Sequence, residues 1–167
     1  MTKRERPYTL QFALEATGIS SQTLRHWRKV LPPLRGRSAH RPCFSAGDLL
    51  ALRVLDAWVN GLGCKVSRLQ VSSSALFALC TEEAWSRIEQ SLLAHDLATD
   101  TWELIADGTP MRWSNGVVVL PIGMLAAELS ERLIGNPSSP QTSLEFPLMQ
   151  ITAGASRMSR SVKGGAQ

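Results

Sequence analysis

The sequence predicts a mainly α fold with a small β component, and three stretches carry that reading. Residues 9–29 have the spacing of two short helices joined by a tight turn, and Ser45 opens a helix that is apolar almost all round. From Thr101 the pattern changes to short β-favouring runs separated by turn residues.

Thr9 caps the first helix, in which Phe12, Ala13 and Ala16 fall at helical spacing, and Gly18 supplies the left-handed position of a sharp exit. Ile19 plugs the corner. Ser20 caps the second helix, whose Leu24 and Trp27 lie three apart on the inward face. That register leaves Gln22, Arg25, His26, Arg28 and Lys29 outward, a cationic set rich in hydrogen-bond donors. Such a face suits a DNA major groove, where arginine reaches phosphate or guanine and glutamine reads adenine.

Pro32 and Pro33 then force an extended exit. The loop over 35–41 holds Arg35, Arg37, His40 and Arg41, and so much charge is expected to face phosphates or the minor groove rather than a core. Ser45 and Asp48 form a capping box ahead of a helix reaching about Asn60, with Leu49, Leu50, Leu52, Val54, Leu55 and Trp58 on several sides. Gly61 and Gly63 end it. Val66 and Leu69 begin a short fourth helix, and the chain to Cys80 reads as helical. Thr81, Glu82 and Glu83 open a further helix to about Asp96, with Trp85, Ile88, Leu92 and His95 on one face. A three-stranded meander follows at 102–105, 111–113 and 117–122, with turns at 106–108 and 114–116. A helix over 123–133 places Leu125, Leu129 and Leu133 at every fourth position, and 135–137 stops it. An edge strand is expected at 144–151, a disordered tail at 153–167 and a polar arm at 1–7.

The order Thr9, Ala13, Thr17-Gly18-Ile19-Ser20, Thr23-Leu24-Arg25, Trp27, Leu31-Pro32-Pro33 and Arg35 resembles the DNA-binding domain of the mercury-resistance-regulator (MerR) family. Arg41, Phe44, Asp48-Leu49 and Gly61-Leu62-Gly63 continue the likeness, which covers about residues 8–70. The resemblance implies a winged helix-turn-helix DNA-binding domain over 8–70, with the loop as a basic wing. Residues 71–151 become a helical connector and small α+β domain for dimerisation, and 152–167 a basic tail. The implied DNA contacts are Ser21, Gln22, Thr23, Arg25, His26, Arg28 and Lys29 on the helix, with Arg35, Arg37 and Arg41 in the loop. The chain departs from the family at His26-Trp27, where two aromatics are usual, and at Pro42-Cys43, where one residue usually stands. Its helix over 81–96 is also about half the family length.

Charge agrees with a nucleic-acid module. Residues 1–70 hold twelve Lys and Arg against four Asp and Glu, net +8, whereas 71–150 carry −7 and 151–167 carry +3. No apolar run is long enough to span a bilayer and no leader pattern opens the chain, so no membrane association and a cytoplasmic location are expected. Cys43, Cys64 and Cys80 show no paired spacing, and no cysteine follows Cys80 to complete a soft-metal site. No nucleophile motif, phosphate-cradling glycine loop or paired carboxylates point to an enzyme, a cofactor or a metal. The expected function is a sequence-specific transcription regulator with duplex DNA and a second copy as partners, and RNA polymerase or another regulator beyond them. Two alternatives stand: an excisionase-like factor that bends DNA, and an adaptor that acts through its acidic C-terminal part.

Overall fold

Each of the first two helices begins where a side-chain oxygen takes an amide proton. The structure is a computed structural model that describes residues 7–38, 41–106, 108–109 and 116–135. Thr9 Oγ1 accepts from the Phe12 amide at 3.3 Å and opens α1, Leu10–Thr17. Gly18 follows at φ 74°, where a side chain would be strained, and its amide donates to the Leu14 carbonyl at 2.9 Å. Ser20 Oγ accepts from the Thr23 amide at 3.0 Å and opens α2, Ser21–Val30. Ile19, Leu24 and Trp27 are buried, as their spacing predicts.

A tight turn over Pro32–Leu34 leads into the loop, and the capping box then forms in full. The Asp48 amide donates to Ser45 Oγ at 3.1 Å, and the Ser45 amide donates to Asp48 Oδ2 at 2.8 Å. The helix they start, α3 (Ala46–Asp56), is the central spine, with Leu49, Leu50, Ala51, Leu52, Val54 and Leu55 fully buried. It widens at its end into a π turn, Ala57–Gly61, that carries the buried Trp58. A short 3-10 turn at Val66–Leu69 precedes α4, Ser73–Glu82. Gly47 lets α3 meet the end of α4 closely, because a Cβ there would stand 2.4 Å from the Cys80 carbonyl oxygen.

The helix expected over 81–96 does not form. Thr81 and Glu82 finish α4, Glu83 and Ala84 are extended, α5 covers only Trp85–Glu89, and Ser91–Asp96 is strand β1. β1 is the middle of a three-stranded antiparallel sheet, flanked by β2 (Thr101–Ala106) and β3 (Val117–Leu120). Its register pairs Leu93 with Leu104 and Leu120, and His95 with Trp102 and Val118. Ile88, Leu92 and His95 satisfy a helical period, but a central strand covered on both faces also shows consecutive apolar residues, and only its partners decide between the two. The meander is thus found at its first and last strands, with 91–96 inserted between them. The strand at 111–113 lies outside the described residues, as does most of the turn at 114–116.

The final helix, α6 (Ile122–Gly135), packs on α5, β1, α3 and α1. Ala126 and Leu129 are buried, with Leu125 and Leu133 half-buried against the same core. Two arginines from other elements satisfy the last carbonyls of α1: Arg132 donates to Ala16 O at 2.9 Å and Arg53 to Thr17 O at 3.2 Å. One hydrophobic core therefore runs from Ala13 to Leu129. Its members lie on both sides of residue 70, where the sequence places the boundary of the N-terminal domain. The stop at 136–137, the strand at 144–151, the tail at 152–167 and nearly all of the arm at 1–7 lie outside the described residues. Among those described, no helix is long and apolar enough to cross a membrane.

Candidate nucleic-acid interface

α2 is held from behind and open in front. Leu24 and Trp27 anchor it in the core, while Ser21, Gln22, Arg25, His26 and Lys29 are exposed along its outer surface. Thr23 is half-buried, and its hydroxyl lies 2.8 Å from Ser20 Oγ, so it completes the helix cap. Ser21, Gln22 and Arg25 border a depression of about 540 Å³ with Leu10 and Leu14 of α1. One surface thus combines a long cation, a neutral amide able to read a base edge, and a hydroxyl near a helix N-terminus.

The loop after α2 uses its arginines differently from the expectation. Arg37 is buried, and its guanidinium donates to the Pro33 carbonyl at 2.8 Å, the Cys43 carbonyl at 2.9 Å and Asp48 Oδ1 at 2.7 Å. It also lies over the rings of Phe44 and Phe77, at 5.0 and 5.6 Å from their centroids. With one bond from each of its three nitrogens, the Arg37 guanidinium is committed to the protein interior rather than to the surface where a phosphate contact was expected. Arg28 is half-buried, lines the same depression as Ser21, Gln22 and Arg25, and donates to the Arg37 carbonyl, which ties α2 to the loop. Irregular backbone leaves carbonyls without ladder partners, and these arginines satisfy them.

Arg35 is exposed and donates to Val30 O at 3.3 Å, and Arg41 is exposed with its amide on Ser38 Oγ at 3.2 Å. Both remain on the surface. His40 lies outside the described residues. The end of the loop pairs with the segment before α1 through an isolated bridge, Tyr8 to Phe44, with the Tyr8 amide donating to Phe44 O at 3.1 Å.

Lys65 was missed by the sequence reading. It is exposed and shares a groove with Gln22, Thr23 and His26 of α2. The basic block of residues 1–70 contains it, but nothing local to residues 64–69 says that the turn folds back beside α2. Among the thiols, Cys80 is buried and its pKa is pushed up to about 12, first by burial and then by the Asp48 charge, so it stays protonated and inert. Cys43 is also buried, and its thiol donates to the Ser38 carbonyl at 3.1 Å. No protein-family model matches the chain, and no curated protein matches it.

Proposed function

We propose that this chain is a sequence-specific DNA-binding transcription regulator of the cytoplasm, with α2 as the recognition helix of a winged helix-turn-helix like that of the MerR family. The observation that carries the reading is the exposed face of α2, where Ser21, Gln22, Arg25, His26 and Lys29 stand together on a helix fixed by buried Leu24 and Trp27. Arg25 and Lys29 supply phosphate contacts, Gln22 reads a base edge, and Arg35 and Arg41 touch the backbone from the loop. Single modules of this size bury only ~600–1,000 Å² on DNA, so two copies acting on a two-part site supply the selectivity an operator needs.

Selection from a randomised duplex pool, followed by titration of Arg25→Ala and Gln22→Ala, tests the reading. Enrichment of a two-part site is expected. Arg25→Ala weakens binding to all sequences and reduces the salt slope by ~0.9, whereas Gln22→Ala relaxes one base position by ~1–3 kcal/mol. A pool that stays random refutes sequence-specific binding and favours the adaptor. Tandem sites in helical phase favour the DNA-bending factor.

A further inference from the structure

α1 does not supply the charge that its own C-terminal end calls for. Its eight residues fall below the ~12–15 at which an isolated helix becomes stable, and its last turn holds no basic residue to meet the free carbonyls, whereas α2 ends on its own Arg28 and Lys29. The cations come from elsewhere in the chain. Arg132 of α6 donates from Nη1 to the Ala16 carbonyl at 2.9 Å, across 116 residues of sequence, and Arg53 of α3 donates from Nη1 to the Thr17 carbonyl at 3.2 Å. Arg53 is itself held, because its Nη2 lies 2.8 Å from Glu128 Oε2. Glu128 and Arg132 are one helical turn apart, so both lines of contact lead back to one face of α6.

The two carbonyls stand at the corner between α1 and α2, where only residues 18–20 separate the helices. Each of these residues is fixed. Gly18 sits at φ 74° with its amide on the Leu14 carbonyl at 2.9 Å, the Ile19 amide donates to Thr17 Oγ1 at 3.4 Å while its side chain is buried, and Ser20 caps α2. A corner without slack passes a shift at the end of α1 into α2. Side chains on a helix read a duplex only when the helix meets the groove at a set angle, and a binding constellation needs supporting residues that hold it within ~0.5 Å of its working geometry.

We propose that Arg132, with the Arg53–Glu128 pair beside it, is a positioning residue for α2: it fixes the end of α1, and through it the angle at which Ser21, Gln22 and Arg25 are presented. α6 thereby belongs to the reading apparatus without touching DNA. The inference rests on the reading of α2 as a recognition helix, and the first of its two tests needs no DNA.

Amide hydrogen exchange of the full chain is followed by NMR in wild type, Arg132→Gln and Arg132→Lys. Arg132 is exposed, so these replacements leave the core intact. Arg132→Gln should speed exchange of the Gly18 and Leu24 amides, which donate to Leu14 O and Ser20 O, by about ten-fold, while the Leu76 and Glu83 amides at the two ends of α4 stay within about two-fold. Arg132→Lys, which keeps the cation, should recover most of the protection. Equal acceleration at all four amides, the mark of a lower global stability, or no acceleration at Gly18 and Leu24, overturns the proposal. The second test titrates the same proteins on a duplex selected by the wild type. Arg132→Gln should bind about ten-fold more weakly at an unchanged salt slope, and Arg132→Lys should restore the affinity. Unchanged affinity, or a slope lowered by about 0.9, which would put Arg132 on a phosphate, overturns the proposal. A wild-type chain that selects no duplex refutes the recognition-helix reading alone, and the exchange rates then decide whether Arg132 positions α2.

Discussion

Replacing Arg37 by alanine separates a structural arginine from a DNA-binding one. The side chain makes three charge-assisted hydrogen bonds, to the Pro33 and Cys43 carbonyls and to Asp48, with the paired side chains 7% and 4% exposed. Removing one member of a buried pair strands the other, at a cost of ~3–5 kcal/mol. Three bonds of ~1.5 kcal/mol each give a similar figure. For a chain of this size that is roughly 6–20 °C in Tm. Asp48 reports the same link through pH: burial would raise its pKa, but the Arg37 hydrogen bond, the Ser45 amide and the Arg37 charge hold it below 3.8. A folded value below the unfolded one means stability that is full above about pH 3.8 and lost as pH falls through the folded value. Urea unfolding of wild type and Arg37→Ala at neutral pH, repeated toward acid, is the assay. Arg37→Ala should lose the stated stability and flatten the acid slope, while the salt slope of DNA binding stays unchanged for the folded fraction. A loss under about 1 kcal/mol together with a salt slope reduced by about 0.9 would refute the structural role and return Arg37 to the phosphates.

Gly47→Ala places a Cβ where the Cys80 carbonyl oxygen stands at 2.4 Å, so α3 and α4 must part, and a loss of ~1–3 kcal/mol in chemical unfolding is expected; a neutral variant would show that the two helices do not meet there. Burial sets the His95 pKa below 6.5 despite Asp100 and Asp96. The unfolded chain therefore takes up the proton first, and stability should fall as pH drops below 6.5 toward the folded value, with His95→Phe removing that part of the slope. Identical Tm-versus-pH curves for the two proteins would contradict it. A chain ended at residue 70 loses Leu76, Phe77, Ala126 and Leu129 from the core and Arg132 from the end of α1, and circular dichroism should show no cooperative unfolding. A sharp transition in that fragment would restore an independent N-terminal domain.

Local chemistry made much of the N-terminal half legible. Thr9, Ser20 and the Ser45–Asp48 box act on amides within three residues, Gly18 acts through its own φ, and the spacing of Leu24 and Trp27 turns Gln22, Arg25 and His26 outward. The helix around Leu125 and Leu129 followed from its own period in the same way. Tertiary structure decided the rest, because the deciding partner lies far along the chain. Leu92–His95 fits a helix or a central strand equally well until β2 and β3 supply hydrogen bonds on both sides. Arg37 reads as one more cation in a basic loop, and its partners, among them Asp48, eleven residues on, and Phe77, draw it inward. That α4 and α6 pack into the core that α1 and α3 begin was likewise not to be read from either half alone. Trp58, Lys65 and His95 line one cavity only because the π turn and the sheet bring them together, so periodicity alone held no sign of it.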